Sequence, residues 1–199
     1  MNDNNSITVC GKLESDFIYS HSVRGEDFFT SHILARRLSD AFDRVPVTAS
    51  GYLCEGLRGG DTLNATGQLR SYNRSDGCTS HLILTVFCRT LDKSFCEDAA
   101  NGISLNGFLC KPATFRRTPL GREICDLILA VNRAYNRSDY IPCIAWGRNA
   151  EKCAELPVGS NISLHGRLQS RVYQKRLDDG TSENRTAYEV SIIEMENIY

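Results

Sequence analysis

Two aromatic residues six positions apart, Tyr140 and Trp146, stand in the run DYIPCIAWGR. Tyr140, Pro142, Ile144 and Trp146 share one parity, and Ile141, Cys143 and Ala145 take the other. In an extended strand both rings then project from one side, roughly 20 Å apart. A second run, GSNISLHGRLQSRVYQKR (159–176), alternates in the same way. Ile162, Leu164, Leu168 and Val172 fall on one face, and Ser163, His165, Arg167, Gln169, Arg171 and Tyr173 on the other. A ring offers a flat face for another flat ring, and a guanidinium between rings neutralises an anion. Aromatics interleaved with arginines along a sheet suit a polyanion whose bases can stack.

Other chemistries find less support. The four histidines are scattered, and no Ser/His/Asp order or phosphate-cradling glycine loop precedes a helix. Asp178 and Asp179 beside Gly180 read as turn residues, not metal ligands. His165 has no partner at metal spacing, so no metal site, cofactor or catalytic residue is expected. The nine cysteines (10, 54, 78, 88, 96, 110, 125, 143 and 153) form no C-x-x-C pair. They are expected as reduced thiols, mostly buried in strands, in a reducing cytosol. The polar start MNDNNS shows no signal-peptide core and no stretch is long and apolar enough to span a membrane, so a cytoplasmic, nucleoid-associated protein is expected.

The elements that must carry these residues occur twice. ITVCGKL (7–13) matches ISLNGFL (103–109), and the segment Gly25–Gly51 matches Gly121–Gly147 without a gap, with Pro46 and Pro142 at the same place. GDTLNATGQLRSY (60–72) matches GSNISLHGRLQSRVY (159–173), and each copy closes on one more apolar strand, HLILTVFC and AYEVSIIEM. A period near one hundred residues means a duplicated domain. Five strands with one short helix between the third and fourth give the order of an OB barrel, so the expected fold is all-β with two tandem five-stranded Greek-key barrels. The expected division is 1–89, a linker at 90–102, and 103–199. The net charge of −1 is not a nucleic-acid signal by itself, but it is uneven. Residues 1–102 carry 10 Lys+Arg against 13 Asp+Glu, and 103–199 carry 13 against 11.

The second copy resembles the bacterial single-stranded DNA-binding protein family. The residues that carry the resemblance are NGFLCKPATFRRTPLGREICDLILAVNRAY, DYIPCIAWGRNAEKCAE and GSNISLHGRLQSRVYQKR, which follow the family's blocks in order. The first copy follows only in outline. The resemblance implies sequence-independent wrapping of single strands, in replication, recombination or repair, without enzymatic activity. By motif position it implies stacking on Tyr135, Tyr140, Trp146 and Tyr173. It also implies phosphate contacts from Arg116, Arg117, Arg133, Arg148, Arg167, Arg171, Lys175 and Arg176.

The first copy departs from this pattern. Its matching aromatic positions read Ser39, Arg44 and Ser50, so a degenerate barrel is expected, with weaker strand contacts through Arg36, Arg37, Arg44, Arg70 and Tyr72. Family members usually present four barrels, which predicts a homodimer here. The family's flexible tail with an acidic tip is not seen before Tyr199, so recruitment of partners through such a tip is not expected. The competing reading is an OB-fold protein-interaction module resembling the primosomal PriB proteins, with nucleic acid secondary.

Overall fold

The computed structural model describes residues 4–37, 39–75, 77, 80–94, 101–176 and 180–198. The first barrel comprises β1 (Asn5–Leu13), β2 (Ile18–Val23), β3 (Glu26–Arg36), β4 (Phe42–Ser50), β5 (Thr62–Ser75) and β6 (Ser80–Lys93), with a single helical turn α1 (Gly51–Cys54) before β5. The second repeats the order: β7 (Asn101–Leu109), β8 (Thr114–Arg117), β9 (Glu123–Arg133), β10 (Arg137–Trp146), α2 (Arg148–Glu155), β11 (Asn161–Arg176) and β12 (Ser182–Ile198). In each barrel the first strand pairs with both the third and the fifth, and the fourth runs parallel to the last. These are the expected tandem OB folds. Each carries one strand more than expected, β2 and β8, hairpinned onto its neighbour.

Alternation builds the two cores. Ile7, Val9, Ile33, Val45, Val47, Leu63 and Leu69 are buried in the first, and Ile103, Leu105, Leu127, Leu129, Ile141, Ile162, Leu164 and Leu168 in the second. Val172, expected inward, is exposed, because β11 has by then left the barrel for a free hairpin with β12. Gly67 and Gly166 sit where register shifts bend β5 and β11. A Cβ on either would run into the carbonyl oxygen of Phe87 or Ser191 on the neighbouring strand.

The barrels join edge to edge. β1 pairs antiparallel with β7, with Ile7 opposite Ile103, which makes one continuous twelve-stranded sheet. Within each barrel, side chains continue the first strand's pairing with the fifth where the backbone ladder has run out. The Asn5 amide donates to Leu69 O at 2.7 Å and its carbonyl accepts from Leu69 N at 2.9 Å. Asn101 does the same to Leu168, at 2.8 and 3.1 Å. One step further, Asp139 accepts from Ser71 N at 2.7 Å and Asp43 accepts from Ser170 N at 2.6 Å. Both aspartates are buried, and each belongs to the other barrel from the strand it caps. The two seams are thus related by an approximate twofold.

Some expectations change. β6 continues to Lys93 and β7 begins at Asn101, so 90–93 and 101–102 of the expected linker are strand. Residues 95–100, the pair Asp178–Asp179, Cys78, Cys96 and Tyr199 lie outside the described residues. Cys10 is disulfide-bonded, not reduced. Cys88, Cys125, Cys143 and Cys153 are free and buried, and desolvation pushes the Cys88 and Cys153 thiols up to about 12. No described helix is long and apolar enough to cross a membrane.

Candidate nucleic-acid interface

β10 brings Tyr140 and Trp146 to one face, and both rings are open to solvent, 49% and 40% exposed. The strand leaves them outside because the residues of opposite parity, Ile141, Cys143 and Ala145, fill the core. Tyr135 is 95% exposed at the β9–β10 turn. Tyr135 and Asn136 there have φ of 61° and 52°, a left-handed pair that turns the hairpin tightly and points the ring outward.

Tyr173 rises from the free part of β11. Its ring lies under the Arg171 guanidinium, 5.9 Å from the centroid. It lines an open cleft of about 550 Å³ with Pro142, Arg185 and Tyr188 of its own barrel and Arg74, His81 and Ile83 of the first. The cleft therefore has walls from both barrels, a property that no run of the sequence displays.

The basic residues divide into two groups. Arg116 holds Asp126 at 2.5 Å, Arg117 holds Glu123 at 2.8 Å, and Arg133 approaches the buried Asp139 at 3.4 Å. Hydrogen bonding to Asp126 raises the Arg116 pKa further. These three already have counter-ions. Arg148, Arg171 and Arg176 are exposed, Lys175 and Arg167 partly so, and none of the five forms an ion pair among the described residues. Arg167 does not face Trp146. It lines one groove with Arg36, Arg37 and Gln169 and another with Ser6, Ser104 and His165, on the outer face of the central sheet. Trp146 instead borders a shallow recess with Arg122 and Gly121. The expected site residues thus line a path around the second barrel, not one patch.

The first barrel differs as its sequence suggests. Ser50 opposes Phe28 across β3–β4, as Trp146 opposes Ile124 across β9–β10. The aromatic has changed strands, and Phe28 is buried between His21, 5.2 Å away and stacked, and Phe87 at 5.5 Å. It is packing material, not an open platform.

A model of the single-strand binding protein family matches residues 100–198. The single-stranded DNA-binding protein of Clostridium tetani is 35% identical over 107 residues, 49% of this chain and 72% of that protein. The chain belongs to the single-strand binding protein family. Another relative, single-stranded DNA-binding protein A of Bacillus subtilis, is 37% identical over 83 residues, 38% of this chain and 48% of its own length. The matching region thus spans only about half of that second relative. The crystal structure of the wild-type single-stranded DNA binding protein from Thermus aquaticus superposes with a TM-score of 0.73 at 20% identity, over 98% of this chain and 93% of that one. That likeness extends the family's fold to both barrels, whereas the family model falls on the second.

Proposed function

We propose that this chain binds single-stranded DNA without a base code, chiefly on its second barrel, and that it is a binding protein and not an enzyme. The observation that carries this is the set of four exposed rings, Tyr135, Tyr140, Trp146 and Tyr173, on the barrel matched by the family model. Bases stack on these rings. Arg148, Arg167, Arg171, Lys175 and Arg176 meet phosphates directly, while Arg116, Arg117 and Arg133 do so by sharing or exchanging their carboxylates. Each stack contributes about 1–3 kcal/mol, and each released counterion adds salt dependence. The first barrel, ending at Lys93, supports the second, which begins at Asn101. Two chains together supply four barrels, and the protein serves DNA replication, recombination or repair.

The test is anisotropy of a labelled oligo-dT, titrated at low and high salt, with duplex as competitor. Tight binding is expected, weakening steeply with salt and competed by single strands only. Absence of binding at low salt overturns the reading. The mass in solution, with and without the oligonucleotide, tests the homodimer.

A further inference from the structure

The twelve-stranded sheet ends in two edge strands, β2 in the first barrel and β8 in the second. Among the described residues β2 pairs with β3 alone and β8 with β9 alone. Each therefore keeps a row of backbone N–H and C=O groups open to another strand. Every residue of both strands is exposed. The repeat makes the two edges equivalent. Tyr19 opposes Phe29 as Phe115 opposes Cys125, both at an offset of 96 in the numbering. Just ahead of them, Phe17 and Ala113 pack against the core at the same offset.

Their charges are opposite. Residues 15–27 carry Arg24 against Asp16, Glu26 and Asp27, a net −2 with His21 neutral. The matching residues 111–123 carry Lys111, Arg116, Arg117 and Arg122 against Glu123, a net +3. Counting Asp126, which holds Arg116 from β9, still leaves the second edge at +2. Glu26, Asp27, Lys111 and Arg122 are exposed and form no ion pair among the described residues. Both edges also present apolar side chains to solvent, Ile18, Tyr19 and Val23 on the acidic one and Phe115 and Leu120 on the basic one.

From this complementarity we propose that the β2 edge of one copy docks on the β8 edge of a second copy, head to tail. The surface that fits the acidic edge stands at the opposite end of the same sheet, so a second copy of this chain supplies it. The two backbones continue the ladder, the apolar side chains cover one another, and Glu26 and Asp27 meet Lys111 and Arg122. The contact joins unlike surfaces, so each added copy leaves one free edge of each kind and the assembly stays open-ended. β8 has four residues and β2 has a register shift after Tyr19, so the shared ladder is short and the association weak, and opposite charge sets its orientation and partner.

The experiment is sedimentation velocity of the full chain over a range of concentrations, at low and high salt and without nucleic acid. Its outcome is thus independent of strand binding. At low salt the weight-average sedimentation coefficient is expected to keep rising with concentration, and high salt is expected to suppress the rise. Two charge-inverted variants carry the decisive comparison, Glu26→Lys with Asp27→Lys, and Lys111→Glu with Arg122→Glu. Each alone sets like charges edge to edge and is expected to associate at least about tenfold more weakly than wild type. In an equimolar mixture each inverted edge finds an edge of opposite charge on the other variant, so association should return to within about threefold of wild type. A closed homodimer whose mass levels off in wild type overturns the proposal, whatever the variants do. So does association that salt leaves unchanged, or a single variant that associates like wild type. Two variants that melt like wild type but fail to recover when mixed show that β2 does not meet β8.

Discussion

At the scale of single residues, exposure separates a stacking ring from a core ring. Tyr140 and Trp146 are 49% and 40% exposed on the face of β10 opposite the core residues Ile141, Cys143 and Ala145, so truncating both leaves those core residues in place. The double variant Tyr140→Ala, Trp146→Ala is expected to bind oligo-dT more than tenfold more weakly than wild type with an unchanged melting temperature. At about 1.4 kcal/mol per decade, that is roughly one lost stack or more. Unchanged affinity in anisotropy would sink the platform assignment. Phe28 shows the contrary case: under His21 and against Phe87, it is expected to matter for stability and not for binding.

At the scale of elements, the long hairpins β5–β6 and β11–β12 depend on a bend where each strand leaves its barrel. Gly67 and Gly166 make that bend by allowing the neighbouring backbone to approach where a side chain would stand. Gly166→Ala is expected to cost about 1–3 kcal/mol, as an overpacked site does. Urea unfolding should show the earlier midpoint, and an unshifted midpoint would mean the strand accommodates the methyl. The β9–β10 turn is the other decisive element, since its left-handed pair sets how far Tyr135 projects.

At the scale of the whole molecule, stability depends on the seams. Removing the Asp139 carboxylate leaves Ser71 N without its acceptor and two guanidiniums without their counter-ion. Because those guanidiniums are about a quarter exposed, water offsets part of the loss. Asp139→Ala is therefore expected to cost about 2–3 kcal/mol in chemical denaturation, with the loss shared by both barrels. The opposite seam gives a pH signature. Hydrogen bonding from Arg44 holds the Glu14 pKa below its ordinary 4.5. Burial, then Arg44, holds the His32 pKa below 6.5, although Glu14, 3.5 Å away, pulls it upward. Both groups bind protons more readily in the unfolded chain, so stability is lost on acidification. Melting temperature should fall as pH drops below about 6.5, and again below about 4.5. His32→Gln should remove the upper step; persistence of that step would assign it to another group.

The sequence alone determined the duplication and the OB-barrel class, and it singled out rings that prove exposed, because these are local. Parity sets Tyr140 and Trp146 on the face opposite Ile141, Cys143 and Ala145, and the repeat offset pairs the two copies by simple alignment. It failed where pairing between strands or between barrels sets the contact. Nothing near Arg116 or Arg117 announces that strand pairing brings Asp126 and Glu123 to them, and nothing near Arg133 announces that it shares its counter-ion with Arg70. Val172 looked like core because alternation continues past the point where the barrel ends. The seams were invisible because their makers, Asp43 and Asp139, are ordinary polar residues until two barrels meet and leave a strand edge unpaired. A buried edge must satisfy its N–H and C=O groups, so the fold recruited side chains to do it. Only that tertiary meeting decided which carboxylates are buried between the barrels and which guanidiniums they hold.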